Sequence, residues 1–345
     1  MSRSPSPTDR QLLTLLQQEA NGSALSGEVL GMRLGVSRAA ISKGIERLRE
    51  AGFRIDSAPR RGYTWLGGEE PLWPEALREG LRECRLFRPE RIRVHEVLDS
   101  TNTEAERLAE AGHPEGTVVW TERQTSGRGR LGRSWVSPPW RNLCFSIVLR
   151  PAVDPRSVAQ LTLLSGVALA EVVLASGLRD LALKWPNDVM TGGAKLGGIL
   201  TEMRGEVDRV RYCIVGIGFN LLGDRLAFPP ELRPRLAVLE EVLHQQGVSL
   251  PGPLHRGSFL AAFLRTFEAW YFTYLQEGFA PLRARWCALS NTFGREVRVV
   301  GADGKVETGR VRTLDEEGCL VLETASGGRI RVLAGEVEFT SPVYG

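Results

Sequence analysis

Hydrophobic positions at helical spacing predict three helices in the first 51 residues of the chain. The second helix begins after Ser26 and the third covers residues 38–51 after Ser37, with both serines as N-caps, and Gly35 turns the chain between them. Two short helices joined by a glycine turn predict a helix-turn-helix unit. The apolar positions that define the three helices are Leu12, Leu13, Leu15 and Leu16; Val29, Leu30 and Leu34; and Ile41, Ile45 and Leu48.

The pattern changes from helical to alternating after the third helix. Phe53 and Ile55 alternate with polar residues, a basic turn follows at 58–62, and Tyr63 and Trp65 resume the alternation. This pattern predicts a hairpin, and the hairpin makes the helix-turn-helix unit a winged helix over residues 1–66. Glycines, glutamates and a proline then break the periodicity, so residues 67–90 are assigned to a linker.

Strand-like and helix-like runs alternate over residues 91–288 and predict a mixed α/β domain. The predicted strands are 91–97, 117–121, 143–150, 181–185, 198–203 and 209–216. The predicted helices are 102–111, a long helix opened by Asp154-Pro155, and 256–275. Polar residues interrupt the apolar stretch 158–175, which favours a buried core helix over a membrane span. The aromatic residues of the last helix, Phe259, Phe263, Phe267 and Tyr271, are assigned to the core.

Short strands separated by glycine turns follow over residues 289–345. Turns at 303–304, 317–318 and 327–328 divide this segment, which predicts a small SH3-like β-barrel. The predicted fold class is therefore α+β and multidomain. A winged helix-turn-helix comes first, a mixed α/β domain lies in the centre, and the small barrel is C-terminal.

Composition narrows the possible partners and the compartment. The net charge of the 345 residues is +3, and the basic surplus lies in the first 66 residues, which favours an anionic partner for that segment. The five cysteines are scattered and form no CxxC pair, which predicts reduced thiols and a cytoplasmic protein. The four histidines lie far apart, so no metal site is predicted. No signal peptide is predicted either.

Basic residues of the winged helix have the arrangement expected for binding DNA. Arg38, Ser42 and Lys43 lie on the outer face of the third helix, and Arg60 and Arg61 lie at the tip of the wing. DNA is therefore the predicted partner. The alternative is that the helix-turn-helix unit binds another protein.

The central domain contains a run of alternating glycine and arginine at 127–133, which we call the arginine loop. Glycine allows the backbone to approach a ligand closely, and guanidinium groups match carboxylate and phosphate oxygens. The loop therefore predicts an anion site, although RGG-like RNA-binding loops have the same composition. Lys184 and Lys195 flank a predicted turn nearby. They are two of only four lysines in the chain. Ser100, Thr101 and Asn102 lie at a strand-to-helix junction, where they cap the helix or bind a polar ligand.

Taken together, these blocks resemble the biotin protein ligase family. The resemblance covers residues 92–220 by order and spacing, and the winged helix and C-terminal segment extend it to the bifunctional ligases that also repress the biotin operon. It depends on five blocks: Ser100-Thr101-Asn102; Gln124 with the arginine loop and Trp135; the segment 184–188; Lys195; and the segment 216–220.

The resemblance implies a two-step reaction in which biotin and ATP, with Mg²⁺, give biotinyl-5′-adenylate, and a lysine of a carrier protein then takes the biotin. Neither step needs a protein nucleophile, but both need charge neutralisation and positioning. The implied catalytic residues are Arg130, Lys195 and Asp188. The implied biotin contacts are Ser100, Thr101, Asn102, Gln124, Arg128, Gly129, Arg130 and Lys195. The implied nucleotide contacts are Arg128, Arg130, Lys195 and Asn220.

The resemblance also implies partners. These are the biotin carboxyl carrier domain of acetyl-CoA carboxylase, operator DNA and a ligand-dependent homodimer, with no membrane. One segment departs from the family pattern, because residues 221–230 contain no tryptophan to cover the adenine and offer only Phe228 as a stacking side chain. Three alternatives stay open: a lipoate-type ligase, a ligase whose winged helix no longer regulates, and a ligand-sensing regulator without ligase activity.

Overall fold

A computed structural model describes residues 7–18, 24–50, 53, 55–58, 61–65, 77–78, 80–138, 141–250, 254–301 and 304–340. The chain divides into two compact units, residues 1–71 and 72–345. Arg60 of the predicted DNA-contacting set lies outside the described residues.

The first unit is a helix-turn-helix with a hairpin. Its elements are α1 (Pro7–Gln18), α2 (Gly27–Leu34), α3 (Arg38–Glu50), β1 (Ile55–Ala58) and β2 (Gly62–Trp65). The Ser26 hydroxyl accepts the N–H of Val29, and the Ser37 hydroxyl accepts the N–H of Ala40, each at 3.2 Å. Gly35 ends α2 in the left-handed conformation, with φ 66°. Both predicted caps and the predicted glycine turn are confirmed.

The apolar stripes of the three helices form the core of this unit. Ile41, Ile45 and Leu48 of α3 are each at most 1% exposed, as their spacing predicted. A buried carboxylate, Asp9 on α1, pairs with Arg47 on α3 at 2.6 Å and joins the two helices. The hairpin packs back because the backbone of Leu25 pairs with that of Tyr63.

A seven-stranded sheet forms the frame of the second unit. Its strand order is β3-β4-β5-β9-β8-β7-β6, and the β3–β4 pair is parallel whereas the other pairs are antiparallel. The strands are β3 (Ile92–Leu98), β4 (Val118–Gln124), β5 (Leu143–Leu149), β6 (Ala182–Lys184), β7 (Asp188–Thr191), β8 (Ala194–Gly205) and β9 (Val210–Phe219). The helices are α4 (Thr101–Glu110), α5 (Ala159–Ala175), α6 (Leu239–Gln245), α7 (Arg256–Glu277) and α8 (Ala280–Leu289).

Helices cover both faces of this sheet. α4 packs against β4, β5 and β9 on one face, and α5 packs on the other face with α7 and α8 behind it. α5 is long and apolar enough to cross a membrane, but most of it is buried inside this unit, as the interrupted pattern predicted. It starts later than Asp154-Pro155, because Asp154 caps a single 3₁₀ turn, Pro155–Ser157, that precedes the helix.

Part of the segment assigned to a linker packs into the second unit. Leu77, Leu81 and Phe87 are at most 2% exposed and join the main core. The carboxylate of Glu268 on α7 accepts the backbone N–H groups of residues 85, 86 and 87 at 2.7 to 3.3 Å. The sequence did not indicate this packing, because the anchor lies about 180 residues further along the chain.

A five-stranded antiparallel sheet forms the C-terminal part of the second unit, with the strand order β13-β12-β11-β10-β14. Its strands are β10 (Glu296–Val300), β11 (Val306–Leu314), β12 (Leu320–Glu323), β13 (Arg329–Val332) and β14 (Glu336–Phe339). Inward valines and leucines of this sheet join the main core. The indole Nε1 of Trp185 donates to Gly318 O at 3.1 Å, which ties the sheet to the central domain. The predicted small all-β domain is confirmed.

Candidate active site

A cleft lies where the start of α4, the end of β4 and strands β8 and β9 meet beneath the arginine loop. Residues separated by about a hundred positions in the sequence come together here. All the residues that the sequence analysis assigned to biotin line this one cleft: Ser100, Thr101, Asn102, Gln124, Arg128, Gly129, Arg130 and Lys195.

Glycines form the floor of the cleft and leave room for two large side chains. A Cβ on Gly216 would lie 2.0 Å from Asn102 Oδ1, and a Cβ on Gly218 would lie 2.3 Å from the indole of Trp135. No real Cβ tolerates such distances. The alternating glycines of β9 therefore have a packing reason, which is to seat Asn102 and Trp135 directly on the sheet.

A hydrogen-bonded polar cluster forms the α4 end of the cleft. Gln124 Oε1 accepts the N–H of Thr101 at 2.8 Å. The hydroxyl of Ser146, fully buried on β5, lies 2.7 Å from Thr101 Oγ1 and donates to Asn102 Oδ1 at 2.6 Å. Ser100 occupies the N-cap position of α4, yet its hydroxyl makes no capping hydrogen bond and lines the cleft instead. These groups are fixed before any ligand arrives.

Short backbone hydrogen bonds fold the arginine loop onto itself. Gly129 N donates to Arg133 O at 2.7 Å, and Trp135 N donates to Gly127 O at 2.9 Å. Leu131 lies at the tip of the loop in the left-handed conformation, with φ 54°, and is half exposed. This conformation is strained for a branched residue and costs about 1 kcal/mol.

The three arginines of the loop have different partners. Arg128 Nη2 lies 2.9 Å from Glu202 Oε2 on β8. Arg130 donates to Asn187 Oδ1 at 3.2 Å and to the backbone oxygen of Gly335 at 3.3 Å.

Arg133 makes two hydrogen bonds to the carboxylate of Glu336, one of them at 2.6 Å. Gly335 and Glu336 belong to the C-terminal part of the chain. A second cavity adjoins the cleft between the arginine loop, the 184–188 turn and this C-terminal part.

Lys195 and Asp188 form an ion pair on neighbouring strands where the two cavities meet. Their charged atoms, Nζ and Oδ1, are 2.6 Å apart. The ammonium also lies 5.7 Å from the ring centroid of Trp135. Gly198 leaves space for this lysine, since a Cβ there would be 2.9 Å from Nζ. The pair therefore places a point charge and a carboxylate at the junction of the two cavities.

Positive charge exceeds negative charge around the two cavities. The cations are Arg128, Arg130, Arg133, Lys184 and Lys195, and the carboxylates paired with three of them are Asp188, Glu202 and Glu336. Burial lowers the pKa of Arg130, and the hydrogen bond from Arg133 holds the pKa of Glu336 below its usual value. The surplus suits a ligand with several negative charges.

The arginines, lysines and carboxylates that line the two cavities determine the chemistry of the site. Burial raises the pKa of the Cys144 thiol, which lies on β5, to about 11, so the thiol is protonated at neutral pH. Within the described ranges, no three His, Cys, Asp or Glu side chains gather as metal ligands. The arrangement can hold and orient anions and stabilise charge that develops on them.

Family models match three parts of the chain. Residues 94–220 match the biotin/lipoate A/B protein ligase family, residues 9–64 match a helix-turn-helix domain, and residues 292–340 match the biotin protein ligase C-terminal domain. The chain is 33% identical to the bifunctional ligase/repressor BirA of Bacillus subtilis, over 96% of this chain and 98% of that protein. The chain belongs to the biotin protein ligase family. This result confirms the predicted family, fold class and enzyme class.

Further relatives agree with this assignment. The ligase is also 33% identical to the bifunctional ligase/repressor BirA of Escherichia coli, over 90% of this chain and 92% of that protein. Among solved structures, the biotin protein ligase from Aquifex aeolicus in complex with biotin and ATP is similar with a TM-score of 0.59 and 28% identity, and the match covers 72% of this chain and 97% of that one.

The winged helix of this ligase presents the basic groups that the sequence predicted for DNA, as far as they are described. Arg38 and Lys43 on α3 and Arg61 in the wing turn are exposed, and Ser42 is half-buried. Arg49, on the same helix, donates to Ile55 O at 2.8 Å and holds the wing against α3. The described members of this set therefore lie on the recognition helix and the wing.

Asn220 is a predicted site residue that lines neither of the two cavities. It is 3% exposed; its Nδ2 donates to Ala237 O at 3.1 Å, and its Oδ1 accepts a hydrogen bond from Asn142 at 3.0 Å. Its backbone N–H donates to Leu196 O at 2.9 Å. Asn220 therefore fastens the segment after β9 to the strand that carries Lys195, and it does not line the cleft.

Phe228 is also unavailable for stacking on adenine. It is 3% exposed and packs in a small cluster with Leu236 and Val238. The segment after β9 thus has an apolar core of its own. Ala237 N donates to Lys195 O at 2.8 Å, so this segment supports the Lys195 strand.

Sequence reasoning missed Ser146, Glu202 and Glu336, which touch predicted site residues or the arginine loop, and it named Asn187 only as part of the segment 184–188. One signal was present for Ser146 because it is a polar residue inside the apolar strand Leu143–Leu149. Glu202 and Glu336 carried no local signal, since their partners lie between 74 and 203 positions away in sequence.

Proposed function

We propose that this ligase joins biotin to a lysine of a carrier protein through biotinyl-5′-adenylate. One observation carries the proposal: a rigid polar cluster and a loop with three arginines face each other across one cleft, with Lys195 between them. A ligand with a polar, uncharged head and a carboxylate at the other end matches this order of groups. The biotin–[acetyl-CoA-carboxylase] ligase among the relatives and the Aquifex aeolicus complex with biotin and ATP support biotin rather than lipoate as the substrate.

In the first step, the biotin carboxylate attacks the α-phosphorus of ATP and pyrophosphate leaves. Ser100, Thr101, Asn102 and Gln124 hold the polar head. Arg128, Gly129 and Arg130 hold the carboxylate and the α-phosphate, and Lys195 contacts the carboxylate and stabilises the transition state. These cations reduce the repulsion between two anions and stabilise the charge of the transition state. ATP binds as its magnesium complex, with the ion on the phosphates.

In the second step, the amine of the acceptor lysine attacks the mixed anhydride, and AMP leaves. Lys195 stabilises the charge on the leaving phosphate. Asp188, 2.6 Å from Lys195, holds that ammonium in place and is the carboxylate that orients the incoming amine. The carrier domain of acetyl-CoA carboxylase is the proposed acceptor, and one of the relatives is described as a biotin–[acetyl-CoA-carboxylase] ligase.

The ligase activity is tested by pyrophosphate release from the purified protein with ATP and either biotin or lipoate. Release with biotin but not with lipoate, followed by transfer of radiolabelled biotin to the carrier domain, supports the proposal. Release with lipoate alone would assign the other branch of the family. Release with neither would favour a ligand-sensing regulator without ligase activity.

A second role as a repressor of biotin synthesis is proposed from the winged helix. Exposed Arg38, Lys43 and Arg61 are placed to meet phosphates and base edges. Replacing Lys43 or Arg61 with Ala should weaken operator binding and make the negative slope of log K against log salt shallower by about 0.9 for each phosphate that the variant no longer neutralises. The charge-matched control Arg329→Ala, on the C-terminal sheet, should change neither quantity.

Ligand-dependent dimerisation and action in the cytoplasm complete the proposal. A helix-turn-helix repressor reads two half-sites as a dimer, which supports dimerisation on binding the adenylate. The five described cysteines form no disulfide, which agrees with a reducing compartment. Sedimentation with and without biotin and ATP tests the dimer. An unchanged mass, together with no effect of biotin and ATP on operator binding, would show that the winged helix has no regulatory role.

A further inference from the structure

Glu202 on β8 connects the two ends of the cleft although it does not line the cleft. Its Oε2 accepts a hydrogen bond from Asn102 Nδ2 at 2.7 Å and lies 2.9 Å from Arg128 Nη2. Asn102 belongs to the rigid polar cluster, whereas Arg128 belongs to the arginine loop. One carboxylate oxygen of Glu202 therefore contacts both the rigid polar cluster and the arginine loop.

The two contacts of Glu202 differ in strength. Asn102 is buried, with Oδ1 held by Ser146 and the side chain seated against Gly216, so its amide can turn only by breaking several contacts. The Arg128 side chain is 43% exposed, and exposed ion pairs contribute little to stability. An anion entering the cleft can therefore remove Arg128 from Glu202 while Asn102 stays in place.

We propose that Glu202 is a positioning residue of the ligation reaction. It orients Asn102 toward the polar head of the ligand, and it holds Arg128 at the mouth of the cleft until the carboxylate or the α-phosphate takes over its guanidinium. This inference rests on the proposed function, because it takes the polar cluster and the arginine loop as the two ends of one binding site.

Two substitutions separate the two contacts. Glu202→Gln keeps the volume and an oxygen that accepts from Asn102, but it removes the charge that holds Arg128. Glu202→Ala removes both contacts. We expect the Kd for biotin without ATP to fall about two- to fivefold in Glu202→Gln, because the carboxylate of biotin no longer has to break the Glu202–Arg128 ion pair, whose strength is that of an exposed pair. We expect a rise of about tenfold or more in Glu202→Ala, because a buried amide is then left without its charged acceptor.

Cleavage of the loop by trypsin is the readout that a merely structural role would not change. Without ligand, cleavage after Arg128, quantified by mass spectrometry, should be several times faster in Glu202→Gln than in the native protein. With saturating biotin and ATP the difference should disappear, because the ligand then holds Arg128. Glu206→Gln is the matched control, since Glu206 is an exposed glutamate on the same hairpin.

The proposal is overturned if Glu202→Gln equals Glu206→Gln in both loop cleavage and biotin affinity. If Glu202→Ala does not fold, the isosteric Glu202→Gln still decides the question. Failure of the proposed function is a separate result, seen as no pyrophosphate release by the native protein. In that case the cleavage rate of the unliganded loop still tests whether Glu202 holds Arg128.

Discussion

At the scale of single residues, the site works by placing charge rather than by activating a nucleophile. Lys195 is 2.6 Å from Asp188 and close to the ring of Trp135, so its ammonium has a fixed position before substrates bind. Preorganised charge of this kind stabilises a developing oxyanion without reorganisation during the reaction. The lysine suits this role because it is a compact point charge.

Replacing Lys195 with Ala should slow adenylate formation about a hundredfold to a thousandfold, since one preorganised donor to the transition state is removed. The rate of pyrophosphate release measures this effect, and the melting temperature should hardly change. Lys305→Ala, on the exposed surface of the C-terminal sheet, is the matched control and should keep the native rate. Near-native activity of the Lys195 variant would contradict its assignment to the site.

Replacing Asn220 with Ala should reduce stability rather than catalysis. The substitution leaves buried partners unsatisfied and should lower the free energy of unfolding by about 1 to 3 kcal/mol. Urea unfolding measures this change. The KM for ATP should remain within about twofold of the native value, because Asn220 does not line the cleft. A large rise in the KM for ATP at unchanged stability would restore Asn220 as a nucleotide contact.

Some site residues were predictable from the sequence and others were not. Ser100, Thr101, Asn102 and Gln124 lie in recognisable motifs and do line the cleft. Ser146 and Glu202 reach the same groups only through the pairing of β5 and β8 with β9, which no local pattern encodes. Asn220 shows the opposite case, because a motif residue has a purely structural set of contacts.

At the scale of elements, strand β9 determines how closely the residues around the cleft pack on the sheet. Its glycines let α4 and Trp135 lie directly on the sheet, and this close packing brings the arginine loop over the polar cluster. Periodicity predicted most elements because their apolar stripes face one core. It misplaced the start of α5 because Asp154 and Pro155 belong to a separate turn.

Replacing Gly218 with Ala should displace Trp135, because the added Cβ would lie 2.3 Å from its ring. We expect the KM for biotin to rise about tenfold, corresponding to a binding free energy weaker by about 1.4 kcal/mol. Steady-state kinetics measures this. Gly166→Ala, inside α5, is the control, since its Cβ would make only ordinary contacts at 3.6 Å or more. Equal KM values for the two variants would show that Trp135 is not part of the binding wall.

At the scale of the whole molecule, the site is completed by two parts of the chain that are distant in sequence. The arginine loop belongs to the central domain, but Arg130 and Arg133 contact Gly335 and Glu336 beyond it. The sequence predicted both domains and did not indicate this contact, because charged residues on a surface strand have many possible partners. The packing of Leu77, Leu81 and Phe87 into the second unit was not indicated either, because Glu268, which anchors this segment, lies about 180 residues further along the chain.

The Glu336→Gln substitution should show a pH-dependent reduction of stability. Arg133 holds the pKa of Glu336 below 4.5, so the ion pair stabilises the fold fully above that value, and its contribution disappears as pH falls through the lower, folded-state pKa. At pH 7 the variant should be less stable by under about 1 kcal/mol, since the pair is largely exposed. Below the folded-state pKa of Glu336 the difference in unfolding free energy should approach zero. A difference independent of pH would show that charge is not the cause.

The most direct test of the account is transfer of radiolabelled biotin by the purified protein to a biotin carboxyl carrier domain, with ATP present. The account predicts one biotin per domain on a single lysine, one pyrophosphate released per transfer, and loss of both in Lys195→Ala. Binding of biotin without pyrophosphate release or transfer would contradict it.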